Sequence, residues 1–266
     1  MNSTNRKLSM TMLSKAKIKY ILSLTKKKQR DEEHAFIAEG AKIVGDIAPY
    51  FKCKLLCGTS SYLKNHPELT ANEIIEITET ELKQVSQLKT PRDVIAVFHQ
   101  HPNNVIEFGK TPTTELCLAL DEVQDPGNLG TIIRIADWFG IHHIYCSTTT
   151  ADVYAPKVIQ ATMGAIARIH LHYVDLEQFL KSLPETTPIM GTFLDGDNIY
   201  TSQLPNHGII IMGNEGNGIS DAIKKLVNYK FLIPSYPANM PTSESLNVAV
   251  ATAITCAEFR RRMTLS

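Results

Sequence analysis

The sequence predicts an α/β protein with two domains. Apolar runs of strand length alternate with helical patterns, which is typical of a mostly parallel sheet covered by helices on both faces. A segment rich in Pro, Asn, Gly and Thr interrupts this alternation at residues 101–114 and predicts a linker. Hydrophobic residues make up 43% and charged residues 20% of the 266-residue chain, as in ordinary folded domains. We therefore expect a domain at residues 1–100 and a second at residues 115–266.

The first domain is predicted to begin with a disordered segment at residues 1–13, which is polar and shows no sustained period. An amphipathic helix follows at residues 14–30, with Ile18 and Ile21 on its apolar side. The remaining predicted elements are strands at residues 35–38, 53–57, 74–78 and 94–98, helices at residues 41–51 and 79–87, and a turn or short helix at residues 60–66.

The second domain is predicted to alternate strands and helices up to its end. Its strands are predicted at residues 116–120, 141–146, 169–174, 189–194, 209–212 and 231–233, and its helices at residues 129–139, 155–163, 176–183 and 243–263. Open parallel sheets bind ligands in loops at the carboxyl ends of neighbouring strands. We therefore expect the loops after residues 212 and 233 to build one pocket.

The charges of the chain balance overall but are unevenly distributed. Basic and acidic residues number 27 each, which argues against a non-specific nucleic-acid-binding protein. Every charged residue among the first 30 is basic, a pattern typical of phosphate contact but also of a solvated helix face. The apolar runs are too short to span a membrane and the first residues do not resemble a secretory signal, so we expect neither membrane contact nor secretion. The five cysteines are odd in number and scattered, so we expect buried free thiols and a cytoplasmic location.

The segment DPGNLGTIIR, residues 125–134, is the first candidate for a functional site. It combines a turn with a helix start that Asn128 or its neighbour could cap. Arg134 follows in an otherwise apolar row. A charged side chain buried in such a row needs a partner or a polar cavity. An Arg that faces solvent or forms a salt bridge is the alternative interpretation.

The glycine-rich segment GNEGNG, residues 213–218, is the second candidate. It lacks the Gly-Lys-Ser/Thr of a Walker A loop and the glycine spacing of a dinucleotide fold. Its glycines would allow positive φ and close approach to a ligand. Glu215 would repel a phosphate, so a neutral or cationic small ligand is favoured. A tight turn without a ligand is the alternative, although one glycine would suffice for it.

The third candidate precedes the final helix. Thr242 or Ser243 could cap this helix, which would place Ser245, Leu246 and Asn247 in its first turn, beside free backbone N–H groups. A cap alone explains one hydroxyl but not the whole cluster. The histidines show no metal-ligand spacing, so no metal site is predicted, and no Gly-x-Ser-x-Gly elbow supports a serine hydrolase.

Together these segments resemble the three ordered motifs of the SpoU (TrmH-type) family, which are AdoMet-dependent RNA ribose 2′-O-methyltransferases of the SPOUT superfamily. The matching residues are NLGTIIRIA (128–136), MGNEGNG (212–218), Ile233-Pro234 and SLNVAV (245–250). The motifs and the sequence between them cover the second domain. In the first domain, FIAEG after the basic helix is similar to the substrate-binding domain of the same family.

The resemblance implies a parallel sheet whose C-terminal segment forms a deep trefoil knot, an exception among protein folds. It also implies a homodimer with the active site near the dimer interface, and RNA as the substrate, with rRNA favoured and tRNA possible. AdoMet would be the cofactor, held against the backbone of Thr192, Gly213, Ile233 and Leu246. The residues that match the family's active-site positions are Asn128, Arg134, Glu215, Ser245 and Asn247.

The favoured base in this family is the arginine at position 134, but a guanidinium pKa above ~12 argues against that role. We expect Arg134 to bind a neighbouring phosphate and to stabilise the developing alkoxide instead. The chain departs from the family between Ser235 and Glu244, where it is longer and lacks the glycine of Ile-Pro-Met-x-Gly. We expect altered loop conformation and substrate contacts there.

Two other functions are consistent with parts of the sequence. The first is an RNA-binding protein on the same scaffold that has lost catalysis, which the intact Asn128, Arg134, Glu215 and Asn247 disfavour. The second is a nucleotide-dependent oxidoreductase on a doubly wound sheet, which lacks its expected glycine fingerprint and acidic residue.

Overall fold

The computed structural model describes residues 8–9, 13–101, 111–237 and 243–263. The chain divides into two compact units. Unit 1 contains the described residues of Met1–Pro102 together with Asp152–Ala167, and unit 2 those of Asn103–Ala151 and Arg168–Ser266. Most of the predicted linker, residues 102–110, lies outside the described residues, and its last part forms a short 3-10 helix at Thr111–Thr113.

Unit 1 is built on a five-stranded mixed sheet in the order β1-β4-β3-β5-β2. Its strands β2 and β5 are antiparallel, whereas β3 and β1 both run parallel to β4. The elements are β1 (Leu8–Ser9), α1 (Lys15–Ser23), α2 (Lys27–Glu33), β2 (Ala35–Glu39), α3 (Ala41–Ile47), β3 (Cys53–Gly58), α4 (Ser60–Asn65), β4 (Glu73–Glu76), α5 (Glu79–Val85) and β5 (Val94–His99).

The single helix predicted over residues 14–30 is wrong, because α1 and α2 are separate. The Ser23 and Thr25 hydroxyls donate to backbone carbonyls three residues earlier, at 2.7 and 2.8 Å. Nη1 of the buried Arg30 donates to the carbonyl of Leu24 at 2.9 Å. Side chains therefore satisfy carbonyls that a continuous helix would have used, and the helix can end at Ser23.

The prediction of disorder for residues 1–13 is also wrong where the structure describes them. Leu8 and Ser9 pair with Ile74 and Ile75 of β4. Leu13 is buried, and its N–H donates to the Glu81 carboxylate at 2.8 Å. Residues 1–7 and 10–12 lie outside the described residues.

Helix α7 (Pro156–Thr162) belongs to unit 1, although the sequence predicts it as part of the second domain. The carboxylate of Asp152, at the start of this segment, accepts from Arg30 Nη2 at 2.5 Å and from Arg30 Nε at 3.1 Å. The ring of Tyr154 lies 4.8 Å from that of Phe36 in β2, and α7 packs on the same strand. The contiguous domain predicted at residues 115–266 thus contributes residues 152–167 to the other unit, through a buried ion pair and aromatic packing.

Unit 2 is built on a six-stranded sheet in the order β11-β9-β10-β6-β7-β8. Every neighbouring pair among these strands is parallel, which confirms the predicted mostly parallel sheet. The elements are β6 (Leu116–Leu120), α6 (Pro126–Trp138), β7 (His143–Ser147), β8 (His170–Val174), α8 (Leu176–Lys181), β9 (Ile189–Asn198), β10 (Gly208–Met212), α9 (Asp221–Lys224), β11 (Tyr229–Leu232) and α10 (Val248–Met263).

One buried core of unit 2 lies between this sheet and α8. Ile209 and Ile211 of β10 point to the same face as Cys117 of β6 and Tyr145 of β7. Phe179 of α8 stacks on Tyr145 with ring centroids 4.2 Å apart. This packing fixes the central strands, and so fixes where the loops at their carboxyl ends begin.

The final helix begins at Val248, five residues later than the predicted start at residue 243. The Asn247 side-chain oxygen accepts hydrogen bonds from the N–H groups of Ala249 at 3.0 Å and Val250 at 3.3 Å. Asn247 therefore caps the helix, rather than Thr242 or Ser243, and Ser245 and Leu246 precede it. Five residues of the long segment Ser235–Glu244, 238–242, lie outside the described residues.

Across the part of the chain that the structure describes, no helix combines the length and apolarity needed to cross a membrane. All five cysteines are buried free thiols, as predicted.

Candidate active site

The N-terminus of α6 presents Asn128 at the carboxyl edge of the unit 2 sheet. Asp125 caps this helix, its Oδ1 accepting from the Asn128 N–H at 2.8 Å, and Pro126 occupies the first helical position. The cap is therefore neither Asn128 nor its immediate neighbour, as the sequence predicted, but Asp125, three residues before Asn128. Because Asp125 satisfies the backbone here, the Asn128 amide is available for other partners.

The glycine-rich loop follows β10 and closes on itself. Asn214 and Gly218 exchange two backbone hydrogen bonds, at 2.9 and 3.0 Å. A Cβ on Gly213 would lie 2.2 Å from the Gly218 carbonyl carbon, and Gly218 has a φ of 69°. The loop's own tight turn therefore requires both glycines. The interpretation that the glycines indicate ligand contact is weakened accordingly.

Glu215, at the tip of this loop, binds the loop between β6 and α6. Its carboxylate accepts from Asn128 Nδ2 at 3.0 Å, from the Asp125 N–H at 3.3 Å and from the Gln124 N–H at 3.4 Å. Partial desolvation alone would raise the pKa of Glu215, but these hydrogen bonds lower it below its ordinary value. Glu215 is therefore held as a carboxylate.

Asn247 completes a continuous hydrogen-bonded chain. Its Nδ2 donates to Asn128 Oδ1 at 3.0 Å, so that Asn247, Asn128 and Glu215 are linked in series. These residues come from three segments, one from each of the three motifs. The structure thus brings together three of the five predicted active-site residues, and all three are partly or fully accessible to solvent.

Arg134 and Ser245 do not join this chain. Arg134 is exposed two turns further along α6, and it forms neither an ion pair nor a hydrogen bond with any residue that the structure describes. Of the two interpretations of this side chain, the solvent-facing one is observed. Ser245 is exposed in the segment before α10.

Of the residues predicted to hold AdoMet, three lie in or directly after three adjacent strands and the fourth precedes α10. Gly213 directly follows β10 and Ile233 directly follows β11, and both are half-buried. Thr192 is half-buried in β9, between those two strands. Leu246 is 50% exposed just before α10. Parallel strands place these positions along one edge, where backbone groups and an uncovered apolar side chain could hold a nucleoside.

Thr192 begins an irregularity that the sequence did not reveal. Consecutive residues Lys230 and Phe231 of β11 pair with Gly191 and Asp197 of β9, so that residues 192–196 are looped out of the register. The predicted strand at residues 189–194 is therefore longer and bulged. Such bulges are frequent beside active sites, where they redirect side chains.

Three polar residues that the sequence analysis did not single out hold the loop after β6. The Asn214 amide donates to the Glu122 carbonyl at 2.8 Å, while its oxygen accepts from the N–H groups of Gly216 and Asn217 at 2.9 and 3.0 Å. Ser147 accepts from the Glu122 N–H at 2.9 Å, and Glu122 has a φ of 60°. Asn214 stands inside the glycine-rich motif, which was the available signal.

The histidines of β7 and β8 lie at the other end of these strands. His143 Nδ1 lies 3.1 Å from His172 Nε2, and both rings are half-buried. Desolvation, reinforced by the neighbouring imidazoles, lowers the pKa of His172 to about 4. Among the described residues, no group of three or more His, Cys, Asp or Glu side chains could hold a metal ion.

Comparison with known proteins identifies the family. The family model described as SpoU rRNA Methylase matches residues 115–257, which is more than half of the chain. The chain belongs to the SpoU rRNA methylase family. A second model, described as MRM3-like substrate binding domain, matches residues 15–96.

Individual SpoU relatives match over nearly the full length. The 23S rRNA (guanosine(2553)-2′-O)-methyltransferase RlmP of Bacillus subtilis is 30% identical over 90% of this chain and 93% of its own. A TrmH-family protein from Porphyromonas gingivalis is 40% identical, with a TM-score of 0.83 over 95% of this chain and 100% of its own. An AdoMet-bound rRNA methyltransferase from Sinorhizobium meliloti is 28% identical, with a TM-score of 0.81 over 97% and 98% of the two chains.

Proposed function

We propose that this protein transfers a methyl group from AdoMet to a ribose 2′-hydroxyl of structured RNA, with rRNA favoured over tRNA. The observation that carries the proposal is the hydrogen-bonded chain Glu215–Asn128–Asn247, which joins the three SpoU motifs at the carboxyl edge of a parallel sheet. The relatives named as 23S rRNA 2′-O-methyltransferases and the AdoMet-bound structure support the reaction and the cofactor.

The positions that would hold AdoMet are Thr192 in β9, Gly213 and Ile233 directly after β10 and β11, and Leu246 just before α10. These positions combine half-buried backbone with an apolar side chain that nothing covers within the described residues. When bound, AdoMet supplies an activated sulfonium methyl group that needs no metal for transfer. The protein must orient the ribose hydroxyl, exclude water and manage the proton that the hydroxyl loses.

Asn128 and Asn247 are placed to orient the substrate, because their amides face the site and retain hydrogen-bonding capacity. Glu215 is held as an anion by three donors, so it is poorly suited to take up a proton near neutral pH. We assign Arg134 to a phosphate next to the reacting ribose, where its permanent positive charge would also stabilise a developing alkoxide. Ser245 is assigned to the same substrate-facing surface.

Unit 1 is proposed to bind the RNA, using the lysines of α1 and of the turn that follows it. Lys15, Lys19 and Lys26 are exposed around a shallow groove that also contains the half-buried Ile18 and Leu22. None of the three lysines pairs with an acidic group in the described structure. By contrast, Lys17 pairs with Glu73. Unpaired lysines beside accessible apolar side chains suit an RNA backbone.

The active form is proposed to be a homodimer formed through α6 and α10. These helices pack against each other, and Arg260 of α10 donates to the carbonyls of Phe139 and Gly140 at the end of α6. Their outer surface nevertheless leaves Trp138 84% and Val250 48% exposed. A largely uncovered tryptophan suits a protein interface, because aromatic residues are enriched there. Arg134, on the exposed side of α6, would lie near such an interface.

A trefoil knot at the C-terminal end of unit 2 is proposed from the strand order. β11 lies at the edge of the sheet beside β9, whereas Asn247 bonds to Asn128 beyond β10. The two ends of the segment between Leu232 and Asn247 therefore lie on opposite sides of β9 and β10, a separation that a knotted path would span. An experimental structure traced through residues 232–248 tests this; a return path outside all preceding loops would contradict it.

The alternative of an inactive RNA-binding protein makes a different prediction about AdoMet. Titration calorimetry of the purified protein with AdoMet, followed by transfer of a labelled methyl group to total rRNA, separates the two. Binding and transfer are expected, whereas RNA binding with neither of them would support the alternative. The cytoplasmic location stays a prediction, which the five buried free thiols favour.

A further inference from the structure

The hydrogen bonds between Glu215, Asn128 and Asn247 have one consistent direction. Backbone N–H groups at the start of α10 donate to Asn247 Oδ1, and Asn247 Nδ2 then donates to Asn128 Oδ1. Asn128 Nδ2 in turn donates to Glu215. A carboxylate can only accept, so it determines which end of the Asn128 amide faces it.

This direction determines what the two amides can offer to a ligand. Each Nδ2 carries two hydrogens, one of which is used inside the chain. The second hydrogen of each amide has no acceptor among the described residues. Both acceptor positions of Asn247 Oδ1 are occupied by helix N–H groups. The ligand that meets this pair therefore finds two N–H donors, beside the one acceptor position that remains on Asn128 Oδ1.

We propose that Glu215 is a positioning residue that fixes the direction of the Asn128–Asn247 amide pair, so that the pair binds an oxygen acceptor of the RNA. This proposal rests on the proposed function. The acceptor is a phosphate or ribose oxygen, both of which RNA presents densely at a reacting nucleotide. The AdoMet carboxylate offers the same chemistry, and the experiment below distinguishes the two sources. Glu215 acts only through Asn128.

The loop that carries Glu215 does not depend on its carboxylate. Asn214 makes three hydrogen bonds of its own, one to Glu122 and two within the glycine loop. Gly218 closes the same turn through backbone hydrogen bonds. A substitution that only removes the charge at position 215 should therefore leave the loop folded, so that loss of direction can be tested without loss of structure.

Glu215→Gln tests the direction directly. If the new amide turns its Nε2 towards Asn128 Nδ2, the direction is reversed. If it turns its Nε2 towards the Gln124 N–H, the direction is kept but one of the contacts that hold position 215 against Asn128 is lost. If Asn128 turned over to accept, its own Nδ2 would face Asn247 Nδ2. We expect kcat/KM for total rRNA from a strain lacking the gene to fall by roughly 100-fold, as when one preorganised donor is removed. The AdoMet Kd measured by calorimetry and the Tm are expected to stay near wild type.

A charge swap provides the rescue. When Glu215→Gln is combined with Asn128→Asp, the introduced amide can donate to the introduced carboxylate, and that carboxylate can still accept from Asn247. Asn247 can then donate to residue 128 as in the wild type, although residue 128 no longer has an N–H to offer to the RNA. Asn128→Asp alone places two carboxylates side by side. The double variant is therefore expected to exceed each single variant in kcat/KM by roughly 10-fold, a coupling typical of residues in contact.

Glu177→Gln is the matched control, because Glu177 pairs with Lys181 on the surface of α8 and should leave all readouts unchanged. Full activity of Glu215→Gln, or a double variant worse than both single variants, would overturn the proposal. A loss confined to AdoMet affinity would overturn it too, because the acceptor would then belong to the cofactor. A wild-type protein that methylates no RNA would instead contradict the proposed function itself.

Discussion

The side-chain amide of Asn247 donates to the side-chain oxygen of Asn128 at 3.0 Å, although the two residues lie 119 positions apart in the chain. The same Asn247 caps α10 through its side-chain oxygen. One side chain thus both stabilises the last helix and completes the candidate site. These two roles use different atoms, so they can be separated by substitution.

Replacing Asn247 should separate stability from activity. Asn247→Ala removes the cap and should lower the free energy of unfolding by about 1 kcal/mol. Asn247→Asp keeps a capping oxygen but turns an acceptor towards Asn128 Oδ1, so it should retain stability while kcat falls by roughly 100-fold. Urea unfolding and methyl-transfer assays measure the two effects. Equal activity of Asn247→Asp and wild type would contradict the assigned role.

Arg134 is predicted to act as a positioned cation rather than as a base. Arg134→Lys keeps a positive charge but loses the planar fork that binds phosphate, so activity should fall without a new ionisation in the pH–rate profile. The measurement is the pH profile of kcat for wild type and Arg134→Lys between about pH 6 and 10, roughly the range in which a general base works. If the lysine variant recovered most activity with a lower apparent pKa, the arginine would be the base.

The lysines of α1 and its following turn should determine how strongly RNA binding depends on salt. Changing Lys15, Lys19 and Lys26 to Glu removes phosphate contacts, so the affinity for rRNA should fall. The slope of log K against log salt should flatten by about 0.7–0.9 for each phosphate that is no longer neutralised. Changing Lys64, Lys83 and Lys181 to Glu alters the net charge equally and serves as control. Equal reductions in affinity for both triple variants would contradict the proposal that α1 contacts the RNA.

The buried pair of Arg30 and Asp152 should stabilise unit 1 strongly. The Arg30 side chain is 3% exposed, and Asp152→Ala would leave its charge buried without its carboxylate partner. We expect a loss of about 3–5 kcal/mol, seen as faster hydrogen exchange in β2 and α7. Glu32→Ala removes the exposed pair with Lys28 and should cost under ~1 kcal/mol. Similar effects of the two substitutions would contradict this assignment.

The exposed apolar surface of α6 and α10 should hold the dimer together. Trp138→Glu places a charge at its most exposed aromatic residue, so sedimentation analysis should show a monomer where wild type is a dimer. Tyr50→Glu alters a 52% exposed aromatic residue in unit 1 and should leave the dimer intact. A monomeric wild type, or a dimeric Trp138→Glu, would contradict the proposed interface.

Periodicity predicted the alternating elements of both units and the parallel sheet, because helices and strands each bury apolar residues at their own characteristic spacing. It missed the break at Leu24, which depends on a buried arginine contact rather than on local pattern. It also gave no sign that residues 152–167 pack with unit 1, since the pair of Arg30 and Asp152 spans 122 positions. Long-range polar contacts of this kind leave no periodic signal.

Of the five active-site residues that the sequence predicts, the structure joins three by hydrogen bonds, and the sequence does not indicate how these three are connected. The motifs named Asn128, Glu215 and Asn247, yet the direction of their hydrogen bonds depends on side-chain orientation, which spacing does not specify. Asn214 was overlooked because a loop asparagine is compatible with many turns. The glycines were attributed partly to a ligand, whereas Gly213 and Gly218 are required by the turn itself.

Mapping of 2′-O-methylated nucleotides on total RNA tests the proposed reaction most directly. The comparison uses the source strain, a deletion strain, and deletion strains complemented with wild type or with Asn128→Ala. We predict that one ribose methylation disappears on deletion, returns with wild type and stays absent with the variant, and that it lies in rRNA. A methylation map identical in all four strains would contradict the assignment of this protein as an RNA 2′-O-methyltransferase.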